Sequence, residues 1–289
     1  MIIPGVDPNS TVYLNGEFLP VGQARVSVLD RGFIFGDGVY EVVPCYRGKP
    51  FRMAEHLARL ARSLKALRID SPLDDEGWKD LVLKLAETGP RPDSIIYLQV
   101  TRGAAKRDHA FPAGPVQPTV FGMASPYTPP GREQREQGLS VIGIEDERWL
   151  RCDIKSVSLL GNVLARQQAV DAGVDEVVQF RNGYLTEGSS SNIWVVSKGR
   201  LLAPVPNHLI LEGIRYGVMA ELAAEAGVPY ESRPVSRQEV YEADELMVTS
   251  ATKEVLPIVR LDGRLVGTGK PGPVYAKLRA GYDARIAAL

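Results

Sequence analysis

The sequence predicts an α+β fold arranged as two domains. Segments with strand character outnumber helices, and several strands are joined by tight turns such as Asn15-Gly16 and Asp262-Gly263. Hairpins also outnumber strand–helix–strand units, which favours α+β over a doubly wound sheet. A proline-rich stretch, "SPYTPPGREQRE", separates two mixed regions. We expect a small N-terminal domain at residues 1–124, an interdomain linker at 125–136 and a large C-terminal domain at 137–289.

The first region is predicted to contain hairpins, two helices and two longer strands. "TVYLNGEFLP" and "VYEVVPCYRGKPF" have apolar flanks around a turn that contains glycine, which is typical of hairpins. "AEHLARLARSLKAL" has leucines at helical spacing, and "WKDLVLKLAE" should form a second helix. The apolar runs "SIIYLQV" and "PTVFGMA" should be strands, separated by a loop that contains "TRGAAKRDHAFP".

The second region mixes the same element types. Strands are predicted at "LSVIGIE", "DEVVQF", "SNIWVVS" and "ELMVTS", and helices at "NVLARQQAVDAG" and "IRYGVMAELAAEAG". A hairpin with its turn at Asp262-Gly263 and a terminal helix complete the chain. The whole chain of 289 residues is long enough for two domains of ordinary size.

The composition argues against several classes of protein. The 289 residues include 34 basic and 35 acidic side chains, a net charge of −1. This balance gives no overall footprint for nucleic acid or for a membrane surface. No apolar run approaches the ~20 residues of a membrane span, and the N-terminus lacks signal-peptide character. With only Cys45 and Cys152, and three scattered histidines, we expect a cytoplasmic protein without a metal site.

Two residues could carry covalent or acid–base chemistry. Lys155 in "RCDIKSVSLLGN" has apolar neighbours, and a lysine among apolar groups can act as a neutral amine. Glu187 in "YLTEGSSSNIW" is a carboxylate beside a glycine and three serines, and could hold a cationic ring nitrogen. The simpler alternatives are a surface lysine and a solvated serine turn.

Other segments could bind an anion or line a pocket. The helix that opens at Gly213 offers free N–H groups, and Ser250 and Thr252 follow a strand. Arg59 could add a fixed charge, although most helix arginines are exposed. Tyr40 alternates along its strand with Glu41, so it faces either a pocket or the core.

The loop "TRGAAKRDHAFP" concentrates positive charge. It follows a predicted strand, which should deliver Arg102, Lys106, Arg107 and His109 to one place. A guanidinium with an imidazole nearby suits a carboxylate, because both donate hydrogen bonds to it. The alternative is a solvated basic turn.

Six stretches, taken together and in order, resemble the fold-type IV pyridoxal-phosphate aminotransferases. They are "RGFIFGDGVYEVV", "EHLARL", "VTRGAAKRDHAFP", "RWLRCDIKSVSLLGNVLA", "LTEGSSSN" and "VTSAT", and the likeness runs from about residue 12 to residue 270. Arg107-x-His109 together with Tyr40 points to the D-amino-acid branch of the family. The resemblance implies two domains, with a barrel-like C-terminal domain that carries the cofactor lysine.

The resemblance also implies residue roles. Lys155 would hold pyridoxal 5′-phosphate covalently and move a proton, and Glu187 would pair with the ring nitrogen. The cofactor phosphate would be bound by Arg59, Ile214, Arg215, Ala251 and Thr252. The substrate α-carboxylate would be bound by Tyr40, Arg107 and His109. The loop that carries Arg107 would reach the neighbouring subunit's active site, which implies a homodimer that acts on D-amino acids and 2-oxo acids.

Two positions depart from the pattern of the family. The family usually reads Gly-Ile-Thr-Arg where this chain has Gly213-Ile214-Arg215-Tyr216. Ala251 also stands where a hydroxyl residue is common. We expect backbone N–H groups to maintain the phosphate site. Arg215 either points at the phosphate or faces solvent.

Several other functions remain open on the same fold. The alternatives are a branched-chain L-amino-acid aminotransferase, an (R)-amine aminotransferase and an aminodeoxychorismate lyase. The Arg107-x-His109 pair argues against the first two. A protein that binds the cofactor without catalysis is a further alternative, and it requires an unreactive Lys155.

Overall fold

A computed structural model describes residues 3–89 and 92–289 of the chain. By its contacts the chain divides into two compact units. Unit 1 comprises Met1–Thr128 and Ile154–Leu159, and unit 2 comprises Pro129–Asp153 and Leu160–Leu289. Among the described residues, no helix has the length and apolar character needed to cross a membrane.

The described residues of unit 1 form an antiparallel sheet and two long helices. Its elements are β1 (Thr11–Leu14), β2 (Glu17–Pro20), α1 (Arg31–Phe35), β3 (Gly38–Tyr46), β4 (Lys49–Pro50), α2 (Met53–Leu67), α3 (Asp75–Thr88), β5 (Ser94–Thr101) and β6 (Thr119–Pro126). The strand order is β2-β1-β6-β5-β3-β4. Every neighbouring pair in this order is antiparallel, as expected from the hairpin signals.

The core of unit 1 lies between one sheet face and the two long helices. The leucine stripe of α2, including Leu60 and Leu64, packs with Leu85 of α3 against Val43 and Ile96 of the sheet. The Asp74 side chain caps α3 by accepting a hydrogen bond from the Gly77 N–H. Alternate residues of β3 and β5 face away from this core, and these half-buried positions include the polar side chains of Tyr40, Tyr97 and Gln99.

Unit 2 is larger and mixes parallel with antiparallel pairing. Its elements are α4 (Arg132–Gln137), β7 (Leu139–Glu145), α5 (Leu160–Asp171), β8 (Glu176–Arg181), β9 (Tyr184–Leu185), β10 (Asn192–Ser197), β11 (Arg200–Ala203), α6 (Arg215–Glu225), β12 (Tyr230–Ser232), α7 (Arg237–Tyr241), β13 (Glu245–Ser250), β14 (Glu254–Leu261), β15 (Arg264–Leu265) and α8 (Pro273–Ala287). The sheet order is β12-β11-β10-β13-β14-β7-β8-β9, with β15 on β14. The prediction of an α+β class is confirmed.

The segment that contains Lys155 is placed differently from the expectation. It was predicted to lie in the C-terminal domain, but by its contacts Ile154–Leu159 belongs to unit 1. The reason is backbone pairing with β3: the Tyr40 N–H donates to the Lys155 carbonyl at 3.0 Å, and the Val157 N–H donates to the Gly38 carbonyl at 3.0 Å. Ile154 also packs into the core of unit 1.

The proline-rich stretch predicted as a linker contains the boundary between the two units, which lies after Thr128. It is not structureless throughout. Strand β6 continues to Pro126, and the second half of the stretch forms most of α4. The charged run "REQRE" has good helix formers, which accounts for this short helix.

Candidate active site

Lys155 lies beside the predicted substrate residue Tyr40 in unit 1. The Lys155 Nζ is 4.1 Å from the centre of the Tyr40 ring, and both residues are half-buried. The backbone N–H of Lys155 donates to the Ser63 hydroxyl at 3.3 Å. Pairing with β3 and anchoring to α2 thus fix the backbone of Lys155 while its amine extends over an aromatic face. A lysine amine placed in this way can form a covalent bond to a carbonyl carbon or take part in proton transfer.

Tyr97 and Gln99 extend this cluster, and the sequence reasoning did not identify them. The rings of Tyr40 and Tyr97 stack at 5.7 Å, and the Tyr97 hydroxyl donates to Gln99 Oε1 at 2.7 Å. Burial, with a smaller contribution from Tyr40, raises the pKa of Tyr97 to about 12, so its hydroxyl stays protonated. The alternation along "SIIYLQV" was the available signal, because it places Tyr97 and Gln99 on one face.

Arg59 is buried in unit 1 and forms an ion pair with Glu41. Its Nε and Nη2 donate to the Glu41 carboxylate at 2.9 and 2.7 Å, and the His56 ring nitrogen lies 2.9 Å from the same carboxylate. Burial disfavours the Glu41 charge, but Arg59 and His56 outweigh it and hold the pKa of Glu41 well below its usual range. Tyr40 and Glu41 therefore point to opposite faces of β3, with Arg59 on the Glu41 side.

Substituting Glu41 with glutamine should destabilise the protein in a pH-dependent way. The Glu41 pKa is lowered on folding, so its stabilising effect is complete above its ordinary value of 4.5 and is lost as the pH falls. We expect Glu41→Gln to cost roughly 1–3 kcal/mol of unfolding free energy at pH 7. In urea titrations, the difference in unfolding free energy between Glu41→Gln and wild type should become smaller below pH 4.5.

A suitable control for this measurement is Glu136→Gln, since Glu136 is exposed and pairs with Arg132 of the same helix. It should change stability by less than about 0.5 kcal/mol at any pH. If the difference in unfolding free energy between Glu41→Gln and wild type stayed constant between pH 7 and pH 3, the ion pair assigned to Glu41 would be contradicted.

The predicted carboxylate residues Arg107 and His109 lie on the exposed loop between β5 and β6 in unit 1. Phe35 lies beside both of them: its ring centre is 5.4 Å from the His109 ring and 5.5 Å from the Arg107 guanidinium. Both side chains are exposed within the chain. Arg102, which the sequence grouped with them, is instead buried and bonded to Asp37. The structure therefore groups Arg107 with His109, and Tyr40 with Lys155.

Glu187 is buried in unit 2, surrounded by hydrogen-bond donors. Its Oε1 accepts from Arg148, and its Oε2 accepts from the Asn192 side chain and the Leu211 N–H, both at 3.1 Å. Burial raises the pKa of Glu187, and Arg148 works against that effect. A carboxylate has about four acceptor positions, so three bonds leave room for one further donor. Glu187 is thus a preorganised acceptor rather than part of a solvated turn.

Arg148 fixes this carboxylate and was missed by the sequence reasoning. Its Nε and Nη2 donate to Asp146 at 2.9 and 2.8 Å, and Asp146 also pairs with Arg181 at 3.0 Å. Burial disfavours the guanidinium charge, but Asp146 and Glu187 outweigh it and raise the pKa of Arg148. The only sequence signal was the spacing Asp146-x-Arg148, which is common in exposed turns.

Two of the three serines after Glu187 have structural partners. Ser189 and Ser191 both donate their hydroxyls to Glu176, and the Lys253 amine pairs with the same carboxylate at 2.6 Å. A Cβ on Gly188 would lie 2.2 Å from the Ser191 hydroxyl, so a larger residue here would displace that hydroxyl from its position. Glu176 and the serines therefore shape the turn that presents Glu187.

The phosphate residues predicted in unit 2 lie at the start of α6 and in the turn after β13. Ile214 is the residue before α6, and Arg215 begins the helix. Arg215 is buried, and its Nη2 donates to the Tyr282 hydroxyl at 3.1 Å and to the Ala251 carbonyl at 3.5 Å. Arg215 therefore does not face solvent, which removes one of the two alternatives. Thr252 follows Ala251, with its hydroxyl 3.4 Å from that of Ser250.

Comparisons with known proteins identify relatives over nearly the whole chain. The family described as "Amino-transferase class IV" matches residues 38–261. The chain is 39% identical over 275 residues to the D-alanine aminotransferase of Staphylococcus haemolyticus, covering 95% of this chain and 97% of that protein. It is 40% identical to the D-alanine aminotransferase of Bacillus licheniformis, with 95% and 96% covered.

Solved structures of similar fold come from the same family. The branched-chain amino acid aminotransferase of Escherichia coli superposes with a TM-score of 0.88 at 26% identity, covering 96% of this chain and 94% of that one. The branched-chain enzyme of Thermoproteus uzoniensis, solved with norvaline, superposes with a TM-score of 0.86 at 26% identity. The match covers 96% of this chain and 95% of that one. Another branched-chain enzyme of this fold, 27% identical, was solved with pyridoxamine 5′-phosphate. The chain therefore belongs to the class IV aminotransferases.

Proposed function

We propose that this aminotransferase acts on D-amino acids. It would move the amino group of a D-amino acid such as D-alanine to a 2-oxo acid such as 2-oxoglutarate or pyruvate, in two half-reactions. The observation that carries this proposal is the identity of 39–40% to D-alanine aminotransferases, against 26–27% to the branched-chain enzymes of similar fold. The exposed Arg107 and His109 pair supports it, because it suits a carboxylate.

The cofactor is pyridoxal 5′-phosphate, on which class IV aminotransferases depend. When bound, it supplies an electron-withdrawing ring that makes the Cα proton of an attached amino acid acidic. The residues present fit this group. Lys155 offers an amine, Glu187 has acceptor capacity left for a ring N–H, and the start of α6 offers backbone N–H groups.

Lys155 would hold the cofactor and carry the proton that leaves and re-enters at Cα. Backbone bonds to β3 and to Ser63 support this role, because they fix the main chain and leave the amine to move. Glu187 would keep the ring nitrogen protonated. Support comes from Arg148 and Asn192, which orient the carboxylate without using all its acceptor positions.

The proposed residues that would bind the cofactor phosphate are Arg59, Ile214, Arg215, Ala251 and Thr252. The N-terminus of α6 supports this assignment, since an 11-residue helix presents a positive dipole end and free N–H groups. Gly213 also fits: a Cβ there would lie 2.1 Å from the Asn192 side-chain oxygen, so the backbone before α6 closely approaches a residue that bonds Glu187.

The substrate α-carboxylate would be bound by Tyr40, Arg107 and His109. Tyr40 supports this role by its place beside the Lys155 amine, at 4.1 Å. Arg107 and His109 support it as two exposed donors that share one aromatic neighbour, Phe35. A planar guanidinium binds a carboxylate through two parallel bonds, which a lysine does not provide.

The substitution Arg107→Ala separates carboxylate binding from amine chemistry. We expect kcat/KM for D-alanine to fall about 30-fold, which corresponds to roughly 2 kcal/mol. Turnover of an amine without a carboxylate should stay within about twofold, because the lost bond has no counterpart there. Lys106→Ala, a change of the neighbouring cation on the same loop, is the control. An equal loss for both substrates would remove the carboxylate role.

We also propose a cytoplasmic homodimer whose active sites are shared across the interface. Exposed apolar side chains support the dimer, since each unit has some: Val28 and Phe33 of unit 1 are 71% and 75% exposed, and Leu160 of unit 2 is 72% exposed. Free, buried Cys45 and Cys152 support a reducing compartment. Sedimentation of the holoenzyme tests the dimer, and a monomer with full activity would exclude shared sites.

A half-reaction screen decides between the proposed activity and its alternatives. Holoenzyme is mixed with single D- or L-amino acids, and the absorbance of the cofactor is followed until the amino group has transferred. We expect conversion with D-alanine and none with L-leucine, which a branched-chain enzyme would convert. An aminodeoxychorismate lyase would release pyruvate from its cyclic substrate and show no exchange between D-alanine and 2-oxoglutarate.

A further inference from the structure

The backbone of the loop that carries Arg107 and His109 is hydrogen-bonded to one buried arginine. Residues 102–118 join β5 to β6 largely without regular structure. Arg31, 3% exposed, donates from Nη1 to the carbonyls of Asp108 and Ala110 at 2.6 and 3.2 Å. Its Nη2 donates to the His109 carbonyl at 3.5 Å. One guanidinium thus contacts three consecutive carbonyls at the tip of the loop.

Arg31 is itself held by the half-buried carboxylate of Asp37. Its Nε donates to Asp37 Oδ2 at 2.8 Å, and Arg102 donates to both Asp37 oxygens at 2.8 and 3.0 Å. Burial disfavours the Asp37 charge, but hydrogen bonds from Arg102 and Arg31 outweigh it and lower the pKa of Asp37. Asp37 therefore lies between two arginines that would otherwise repel each other.

The far side of the cluster is anchored to α2. Arg102 donates to the carbonyls of Leu67 and Arg68 at 2.7 and 3.1 Å, at the end of that helix. Its guanidinium also lies 3.7 Å from the centre of the Phe111 ring, on the same loop. The loop is therefore linked through Arg31, Asp37 and Arg102 to the C-terminal end of α2.

We propose that Arg31 is a positioning residue that holds the Asp108–Ala110 backbone so that Arg107 and His109 are presented together for the substrate carboxylate. This inference rests on the proposed function of the two loop residues. Arg31 touches neither substrate nor cofactor in this role. Its Phe35 neighbour, 4.9 Å from the guanidinium, also lies beside Arg107 and His109.

The geometry requires an arginine. The Nε and the two Nη atoms point in fixed, different directions, so one side chain reaches Asp37 and the loop carbonyls at once. A lysine has all three donors on one atom and cannot span both partners. Arg31→Lys keeps the positive charge beside Asp37 but removes the separate donor atoms of the guanidinium. It therefore tests the arrangement of the hydrogen-bond donors rather than the charge.

The experiment compares Arg31→Lys with Arg25→Lys in the holoenzyme. Arg25 is a matched control: it is exposed and bonds the carbonyls of Gly22 and Ala24 in its own turn. Hydrogen exchange is followed by mass spectrometry in peptides from residues 103–117 and from α3. In Arg31→Lys, the loop peptides should exchange at least ~10-fold faster, with α3 unchanged. Arg25→Lys should match wild type.

Kinetics of the same variants connect the loop to the substrate. In Arg31→Lys, KM for D-alanine should rise about 10-fold while kcat and the cofactor absorbance spectrum change little. Asp37→Asn, which removes the carboxylate anchor of Arg31, should give the same pattern. It serves as the second variant if Arg31→Lys does not fold.

The outcomes separate the positioning role of Arg31 from the carboxylate role of the loop. Unchanged loop exchange in folded Arg31→Lys overturns the positioning role, whatever the kinetics. Faster exchange with an unchanged KM also overturns it, provided that Arg107→Ala raises KM. If Arg107→Ala leaves KM unchanged as well, the proposed carboxylate role of the loop has failed, and the exchange data still report on Arg31. Faster exchange with a raised KM and unchanged kcat supports the proposal.

Discussion

Replacing Lys155 with alanine should abolish transamination. The loss should be at least about 10³-fold in kcat, because the residue would serve both as covalent anchor and as the base for the Cα proton. The amine sits over the Tyr40 ring at 4.1 Å. Spectrophotometric assays with D-alanine and 2-oxoglutarate measure this loss.

Borohydride reduction followed by mass spectrometry gives a second measurement on the same variant. Wild-type protein should gain one phosphopyridoxyl group on the peptide that contains residue 155, because the amine condenses with the cofactor aldehyde with loss of water and borohydride reduces the product. Lys155→Ala should gain none on that peptide. Lys277→Ala is the control, since that lysine is exposed on α8 and alanine suits a helix. Retention of turnover or of the reduced adduct in Lys155→Ala would end the proposed role of this amine.

Replacing Arg148 with methionine should be the most destabilising of these changes. It leaves Glu187 and Asp146 buried without their shared guanidinium, and breaking a buried ion pair typically costs about 3–5 kcal/mol. Urea unfolding of wild type and variant, with and without added pyridoxal 5′-phosphate, measures the loss. We expect it in both conditions, because the cluster lies within unit 2 itself.

The matched control is Arg151→Met, three residues further along the chain. Arg151 also pairs with an aspartate, Asp153, but its side chain is 51% exposed. An exposed ion pair contributes at most about 1 kcal/mol, so this change should be nearly neutral. Equal effects of the two substitutions would mean that burial of the Arg148 cluster carries no stability.

Local sequence patterns predicted much of the fold. The leucine spacing of α2 and the strand signals of β7 and β13 came within about one residue of the observed bounds, because periodicity reflects which face is buried. The pairing of the Lys155 segment with β3 was not predicted. It depends on residues more than a hundred positions apart, for which no local pattern exists.

The candidate site shows the same division. Local patterns made Lys155 and Glu187 candidates, but the roles proposed for them came from the resemblance to the family. Arg148 and Arg102 were not recognised as buried, since an arginine in a sequence is normally exposed and only its tertiary partners change that. The direction of Arg215 was open for the same reason: Tyr282, its partner, lies near the end of the chain.

The Lys155 segment also has a consequence for biosynthesis. Unit 1 is discontinuous, since its last strand-like piece, Ile154–Leu159, is separated from Thr128 by Pro129–Asp153, which belongs to unit 2. The ribosome must therefore translate beyond Leu159 before unit 1 can complete its fold. Until then, the part of unit 1 that ends at Thr128 remains incompletely folded. A fragment cut at the proline-rich stretch would lack the amine on which the chemistry depends.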